Sequence, residues 1–127
     1  MSDLEQISLV ATAKRGIPGR VFNKLSRESP LSLADWSSLL GLSQQTLERY
    51  KREGRRFDVM HSDKILQLDV LLKRGGEVFG NRERFYEWLR YANPALGGVI
   101  PLDLAVSSFG VNLLMNELGR IEHGIFA

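Results

Sequence analysis

Apolar residues in this chain return every three or four positions, and nowhere do they alternate with polar ones for long. A repeat near 3.6 residues lines up one apolar face on a helix. Runs rich in Val, Ile and Thr and bounded by turns, the mark of strands, are absent. The pattern therefore predicts an all-α fold. A first helix is expected over about Leu4 to Lys14, broken by Gly16-Ile17-Pro18. A second opens near Pro18, a residue tolerated in a first turn, and runs to about Ser26 with Val21, Phe22 and Leu25 inward. Ser32 is a good N-cap with Asp35 three residues on. Leu33, Trp36, Leu39 and Leu40 then share one face as far as Gly41. Ser43 caps the next helix, Gln44 to Glu53, which stops at Gly54. A longer helix starts near Ser62, with Ile65, Leu68, Leu71 and Leu72 inward. Gly75-Gly76 weakens its last turn, so it ends either at Arg74 or near Val78. Asn81 caps another helix with Phe85, Trp88 and Leu89 inward. The segment ANPALGGVIP reads as loop. Pro101 opens a short turn through Ala105, and Ser107 caps a last helix expected to end at His123, before Gly124.

Composition changes this picture little, and charge changes it more. The chain has 127 residues, 43% of them hydrophobic and 25% charged, enough for a core in one domain or two very small ones. There is no cysteine, which excludes disulfides and cysteine-based zinc sites and suits a reducing compartment. The start, MSDLEQISLV, lacks the features of a signal peptide, and apolar runs are too short for a membrane span, so a cytoplasmic protein is expected. The net charge of +2 is uneven. Residues 1–60 carry ten Lys/Arg against seven Asp/Glu, and residues 61–127 carry seven against eight. A soft boundary is expected near Gly80, giving 1–80 and 81–127, with 1–16 as an extension of the first part. Arg49, Lys51, Arg52, Arg55 and Arg56 form a basic cluster, a hint of polyanion contact.

That cluster ends the stretch LSLADWSSLLGLSQQTLERY, which has the order of a helix-turn-helix: helix, glycine turn, helix. Two helices crossing steeply need a small residue where they touch, and Ser37 stands at that position, four before Gly41. Leu42 and Leu47 face the core. Gln44, Gln45, Thr46, Glu48, Arg49 and Arg52 are left facing outward. Gln and Arg pair bidentately with base edges, and a recognition helix reads with its N-terminal part. Ser43 and the helix N-terminus suit a phosphate. Arg55 and Arg56 are expected to clamp phosphates rather than read bases. A plain helical hairpin is the simpler alternative.

Catalytic and metal readings find little support. Asp58 and His61 are two potential ligands, too few for a metal site. His123 has no nucleophile and orienting acid presented to it, although Ser107 and Asp103 exist. It is more simply a cation at a helix C-terminus. Gly97-Gly98 lacks the lysine and helix of a phosphate loop. No enzyme, cofactor or metal is therefore expected. Trp36 is expected in the core, and Trp88 in the core with one edge available. The tail Ile125-Phe126-Ala127 either plugs a core gap or waits for a partner.

The second half carries a resemblance. Trp88-Leu89, Asn93-Pro94-Ala95-Leu96-Gly97-Gly98, Pro101-Leu102-Asp103-Leu104, Ser107 with Gly110, and Leu118-Gly119-Arg120-Ile121-Glu122-His123-Gly124 follow one another in order. Together with the helix-turn-helix, the run Thr46-Leu47-Glu48-Arg49 and the junction Glu77-Val78-Phe79-Gly80, they resemble the Xre/MbcA/ParS antitoxins over about residues 17–127. Ser37 and Val106 depart from that pattern, as does Tyr91-Ala92 before Asn93. The resemblance implies a type II antitoxin of a RES–Xre pair. Such a protein binds and occludes a RES-domain toxin that degrades NAD⁺, and binds its own operator DNA, commonly as a homodimer. By position it implies toxin contact at Trp88, Asn93, Leu96, Pro101, Leu102, Arg120, Ile121, Gly124, Phe126 and Ala127. The rival reading is a stand-alone helix-turn-helix regulator whose second half only dimerises.

Overall fold

The structure, a computed structural model, describes residues 1–126, and of Ile125 and Phe126 only the backbone. Ala127 and the side chain of Phe126, both expected at a toxin interface, lie outside the described residues. The elements are α1 (Asp3–Arg15), α2 (Gly19–Glu28), α3 (Leu33–Leu40), α4 (Gln44–Glu53), α5 (Val59–Phe79), α6 (Arg82–Arg90), a 3-10 turn (Pro94–Leu96), α7 (Pro101–Leu104) and α8 (Ser108–Phe126). No strand occurs among the described residues; two isolated bridges, Pro18 to Arg56 and Asn93 to Val99, are the only β pairing there. The all-α expectation holds. The chain divides into two compact units, Met1–Gln67 and Leu68–Ala127, so the division falls inside α5, whereas the shift in charge falls near Gly80.

Local chemistry explains most helix ends. Ser32 accepts from the Asp35 N–H at 3.1 Å while Asp35 accepts from the Ser32 N–H at 3.0 Å, a complete capping box. Gly41 ends α3 in the left-handed conformation, φ 67°, which favours glycine. Asn81 and Ser107 accept from backbone N–H groups three residues on, at 2.8 and 3.1 Å, and open α6 and α8.

Two expected boundaries are corrected, and one left open is settled. α5 begins at Val59, not Ser62, because the Asp58 carboxylate accepts the His61 N–H at 2.8 Å and caps the helix a turn earlier. α5 also passes through Gly75-Gly76 to Phe79. The reason is tertiary: a Cβ on Gly75 would land inside the ring of Phe85. The glycine is where α6 seats its aromatic side chain, and the helix continues across it. α8 likewise runs through Gly124 instead of stopping at His123. One glycine costs a helix only about 1 kcal/mol, too little to end it without a cap.

In the first unit α4 packs against both α2 and α3. Its core holds Ala13, Ile17, Phe22, Leu31, Trp36, Leu39, Leu40, Leu47, Phe57 and Ile65. Phe22 meets Trp36 and Phe57 edge-on, each at 5.3 Å between ring centres, a favoured aromatic geometry. Trp36 is core as expected, and its indole N–H donates to Ser29 at 3.2 Å. Val21, expected inward, is exposed: Phe22 takes the inward position beside it. In the second unit α7 packs on α6 and α8 around Phe85, Leu89, Pro101, Leu102, Ala105, Val111, Leu114 and Leu118. Phe79, Phe85 and Trp88 form an aromatic trio with centres 5.7–5.9 Å apart.

The adjacent glycines of α5 give opposite expectations. Gly75→Ala forces Phe85 off its seat and destabilises by about 1–2 kcal/mol, since overpacking at about 1–3 kcal/mol outweighs the helix-propensity gain. Gly76→Ala meets open space and stabilises by up to about 1 kcal/mol. Denaturant titration of the two variants reads the signs.

Candidate functional site

The first candidate surface is α4. Its N-cap, Ser43, accepts from the Thr46 N–H at 3.0 Å and donates to the Thr46 hydroxyl at 2.9 Å, so the two side chains rigidify the helix start. Leu47 is fully buried and Leu42 half-buried, as the pattern requires. Gln44, Gln45, Glu48, Arg49 and Arg52 are exposed, Thr46 is half-buried, and a groove runs between Leu33, Gln44, Gln45, Glu48, Arg49 and Arg52. Leu33 was not expected there; half-buried at the start of α3, it forms an apolar wall to a polar groove.

Two details of the helix-turn-helix differ from the sequence reading. Ser37 donates its hydroxyl to the Leu42 carbonyl at 2.5 Å and so holds the turn. The tight approach to α4 is made by Gly19 of α2 instead. A Cβ on Gly19 would collide with the Tyr50 carbonyl, so only glycine lets α2 lie against α4 there.

The basic cluster is divided between structure and surface. Arg56 donates to the Gly16 carbonyl at 2.8 Å, tying α1's end to the segment after α4. Arg55 lies over the Tyr50 ring at 5.1 Å, and Lys51 over the Phe22 ring at 5.6 Å, both cation–π arrangements. Arg49 and Arg52 line the outward groove beside the two glutamines, and Arg49 also lies 5.9 Å from the centre of the Tyr50 ring. No local signal marks Arg56 and Lys51 as structural, because their partners lie elsewhere in the chain.

The second candidate surface belongs to the second unit. Asn93 knots its loop: its side chain accepts from the Ala95 N–H at 2.9 Å, and its backbone pairs with Val99 and Gly98, each at 2.8 Å. A groove beside it is lined by Arg84, Glu87, Trp88, Tyr91, Ala92, Asn93 and Pro94. It joins Trp88 and Asn93 to Arg84 and Glu87, which the sequence did not single out. Leu96 and Ile121 are half-buried, and Arg120 and Gly124 are exposed. Pro101 and Leu102 are buried in the chain's own core, so they shape this surface from beneath. Arg120 is gripped by the largely buried Glu117, which accepts from its Nε at 2.8 Å and its Nη2 at 2.6 Å. One turn on, Glu122 accepts from Arg74 of α5 at 2.5 Å. That hydrogen bond holds the Glu122 carboxyl below its ordinary range and raises Arg74. Arg74 thus ties the last turns of α8 to α5 across a sequence separation of 48 residues that no local pattern reveals, while Glu117 steadies Arg120 within the helix.

His61 and Asp58 pair at 2.9 Å, and the His61 backbone N–H holds the Asp58 carboxyl below its ordinary range. The pair is a helix cap. Among the described residues no three His, Asp or Glu side chains gather as metal ligands, and no helix is long and apolar enough to cross a membrane.

Two family models cover most of the chain. Residues 8–68 match the antitoxin Xre-like helix-turn-helix domain, and residues 74–124 match the antitoxin Xre/MbcA/ParS C-terminal toxin-binding domain. The chain belongs to the Xre/MbcA/ParS antitoxin family. The antitoxin is 25% identical to "Antitoxin Xre" of Photorhabdus laumondii over 118 residues, 92% of this chain and 80% of that one. It is 30% identical to "Prs ADP-ribosylating antitoxin" of Sphingobium sp. over 109 residues, 84% of this chain but 57% of that longer protein. The α4 groove falls in the first matched domain, and the groove at Trp88 and the α8 surface fall in the second.

Among the described residues, one buried charge lacks a hydrogen-bond partner and is offset only by the neighbouring Asp63 carboxylate. The Lys64 ammonium is buried with no hydrogen-bond partner among the described residues, and burial pulls its pKa down. The unfolded chain holds this proton more tightly, so the penalty applies while the folded ammonium keeps its proton and shrinks as pH rises toward the ordinary lysine range. Lys64→Met is expected to stabilise the antitoxin by about 1 kcal/mol at pH 7. Its advantage over the unaltered chain should narrow in denaturant titrations near pH 10.

Proposed function

We propose that this antitoxin neutralises a RES-domain toxin that degrades NAD⁺ by laying the C-terminal end of α8 across the toxin's active site. A homodimer of it represses its own operon by binding operator DNA through α4. The observation that carries the reading is Arg120: an exposed arginine, held by Glu117, on the final helix of a toxin-binding domain. A preset arginine pairs with a carboxylate or fills a phosphate region at small ordering cost. ADP-ribosylation, which the name of one relative specifies, draws on NAD⁺, and that supports an NAD⁺-consuming partner. Trp88, Asn93, Leu96 and Ile121 flank the contact, Pro101 and Leu102 support it, and Gly124, Phe126 and Ala127 extend it. The setting is the bacterial cytoplasm.

On the DNA side, Gln44, Gln45 and Arg49 read base edges. Ser43, Thr46, Arg52 and Arg55 face phosphates, and Arg56 braces the helix while its charge adds to the field. Dimerisation places two α4 helices one turn of DNA apart.

Two measurements test the two halves. Cutting the chain after His123 should abolish rescue of cells expressing the toxin; a truncated chain that still rescues them shows that the tail is not the inhibitor. Arg49→Ala should weaken operator binding about 10-fold or more, as loss of a base contact worth about 1–3 kcal/mol implies. Operator affinity that neither falls with added salt nor responds to Arg49→Ala removes α4 from the DNA interface.

A further inference from the structure

α8 has two faces of opposite character. Gly110, Val111, Leu114, Glu117 and Leu118 are buried, so the helix is already seated by its inward face. The opposite face presents Phe109, Asn112, Leu113, Asn116, Arg120 and His123, all exposed. At 100° per residue these six lie within one narrow sector. Phe109 is 85% exposed and Leu113 47% exposed, a large apolar pair left in water. Phe109 sits in the first turn, directly behind the Ser107 cap, so its backbone is rigid. Single exposed apolar residues are ordinary. An aromatic and a leucine one turn apart, on a face with no core to join, form the apolar end of a strip.

The other end carries basic side chains, Arg120 with its guanidinium held by Glu117 and the imidazole of His123. Arg120 lies about 16 Å along the axis from Phe109, and His123 a turn further, at 1.5 Å per residue. No carboxylate stands on the strip; Glu117 borders it and is engaged by Arg120. The strip therefore grades from apolar through amide to basic over about 20 Å. The whole of it falls within the matched toxin-binding domain, residues 74–124.

We propose that this face is one continuous docking strip for the toxin, with Phe109 and Leu113 as its apolar anchor. The toxin would offer an apolar socket to that pair and carboxylates to Arg120 and His123. This inference rests on the toxin-neutralising reading above and adds a second, distant anchor to the C-terminal contact. A second copy of the chain fits the strip poorly. Parallel pairing sets Arg120 on Arg120, and antiparallel pairing gives Arg120 and His123 one ring, Phe109, and the aliphatic Leu113 but no carboxylate. A rigid aromatic anchor suits a partner pocket, because burying it needs little further ordering.

The test uses the full chain and the purified toxin encoded by the neighbouring gene, with affinity measured by calorimetry. Phe109→Asp and Phe109→Ala are each expected to weaken toxin binding at least about 30-fold, the level of an interface hot spot. Thermal unfolding and operator affinity should stay unchanged, since the side chain supports no core. Leu113→Asn should weaken toxin binding by a smaller factor. If both Phe109 variants bind toxin like the unaltered chain while truncation after His123 abolishes binding, the strip is not a docking site and the tail reading stands. If Phe109→Asp turns a dimer into a monomer with toxin affinity intact, the occupant is a second copy and the inference falls. If the unaltered chain does not bind the toxin, the toxin-neutralising reading falls and takes the inference with it.

Discussion

The hydroxyl of Ser62 holds the first unit together. It is fully buried, accepts from the Ile17 N–H at 2.8 Å and donates to the Phe57 carbonyl at 3.2 Å. Around it the segments at 16–19 and 55–57 pair directly: Gly19 N–H to Arg55 carbonyl at 2.8 Å and Phe57 N–H to Ile17 carbonyl at 2.9 Å. Two breaks between helices meet here, and each would otherwise bury polar backbone without partners, at about 1–3 kcal/mol per group. Satisfying them with one another and with one serine leaves Ile17 and Phe57 free to enter the core. The approach of α2 to α4 and the braced position of Arg56 follow from that pairing. So does the outward presentation of Gln44, Gln45 and Arg49: a recognition helix reads only if its opposite face is fixed.

The second unit solves a similar problem with an ion pair. α8 must present one face to water along its whole length and still hold its last turns in place. The inward leucines fix the middle of the helix. Arg74 of α5 with Glu122 fixes its end, and Glu117 sets the direction of Arg120 within the helix. These pairs are partly exposed and add little to stability. Their effect is geometric, because they preset the direction of a cation on the surface that a toxin-binding domain offers its partner.

Wherever a short-range contact decided the matter, the sequence was legible. The capping box at Ser32, the caps at Ser43, Asn81 and Ser107, and the left-handed Gly41 all act within three to five residues. The helix-turn-helix and the order of the second-half motifs were readable for the same reason, and both family matches agree with them. The misreadings share a cause. Gly75 looked like a breaker because its purpose, seating Phe85, lies ten positions away in another helix. Arg56 and Lys51 read as part of one basic patch because the carbonyl and the ring that engage them are distant in sequence.

By itself, then, the sequence determined which segments are helical, where most of them start, and which family of domains they build. Periodicity and caps are local free energies that each segment carries with it. Only the tertiary structure decided which cations face outward, why Gly19 and Gly75 are glycines, that Ser62 joins two breaks, and that Phe109 has no core to enter. Those outcomes depend on which groups meet across tens of residues, and a single local free energy does not encode such meetings.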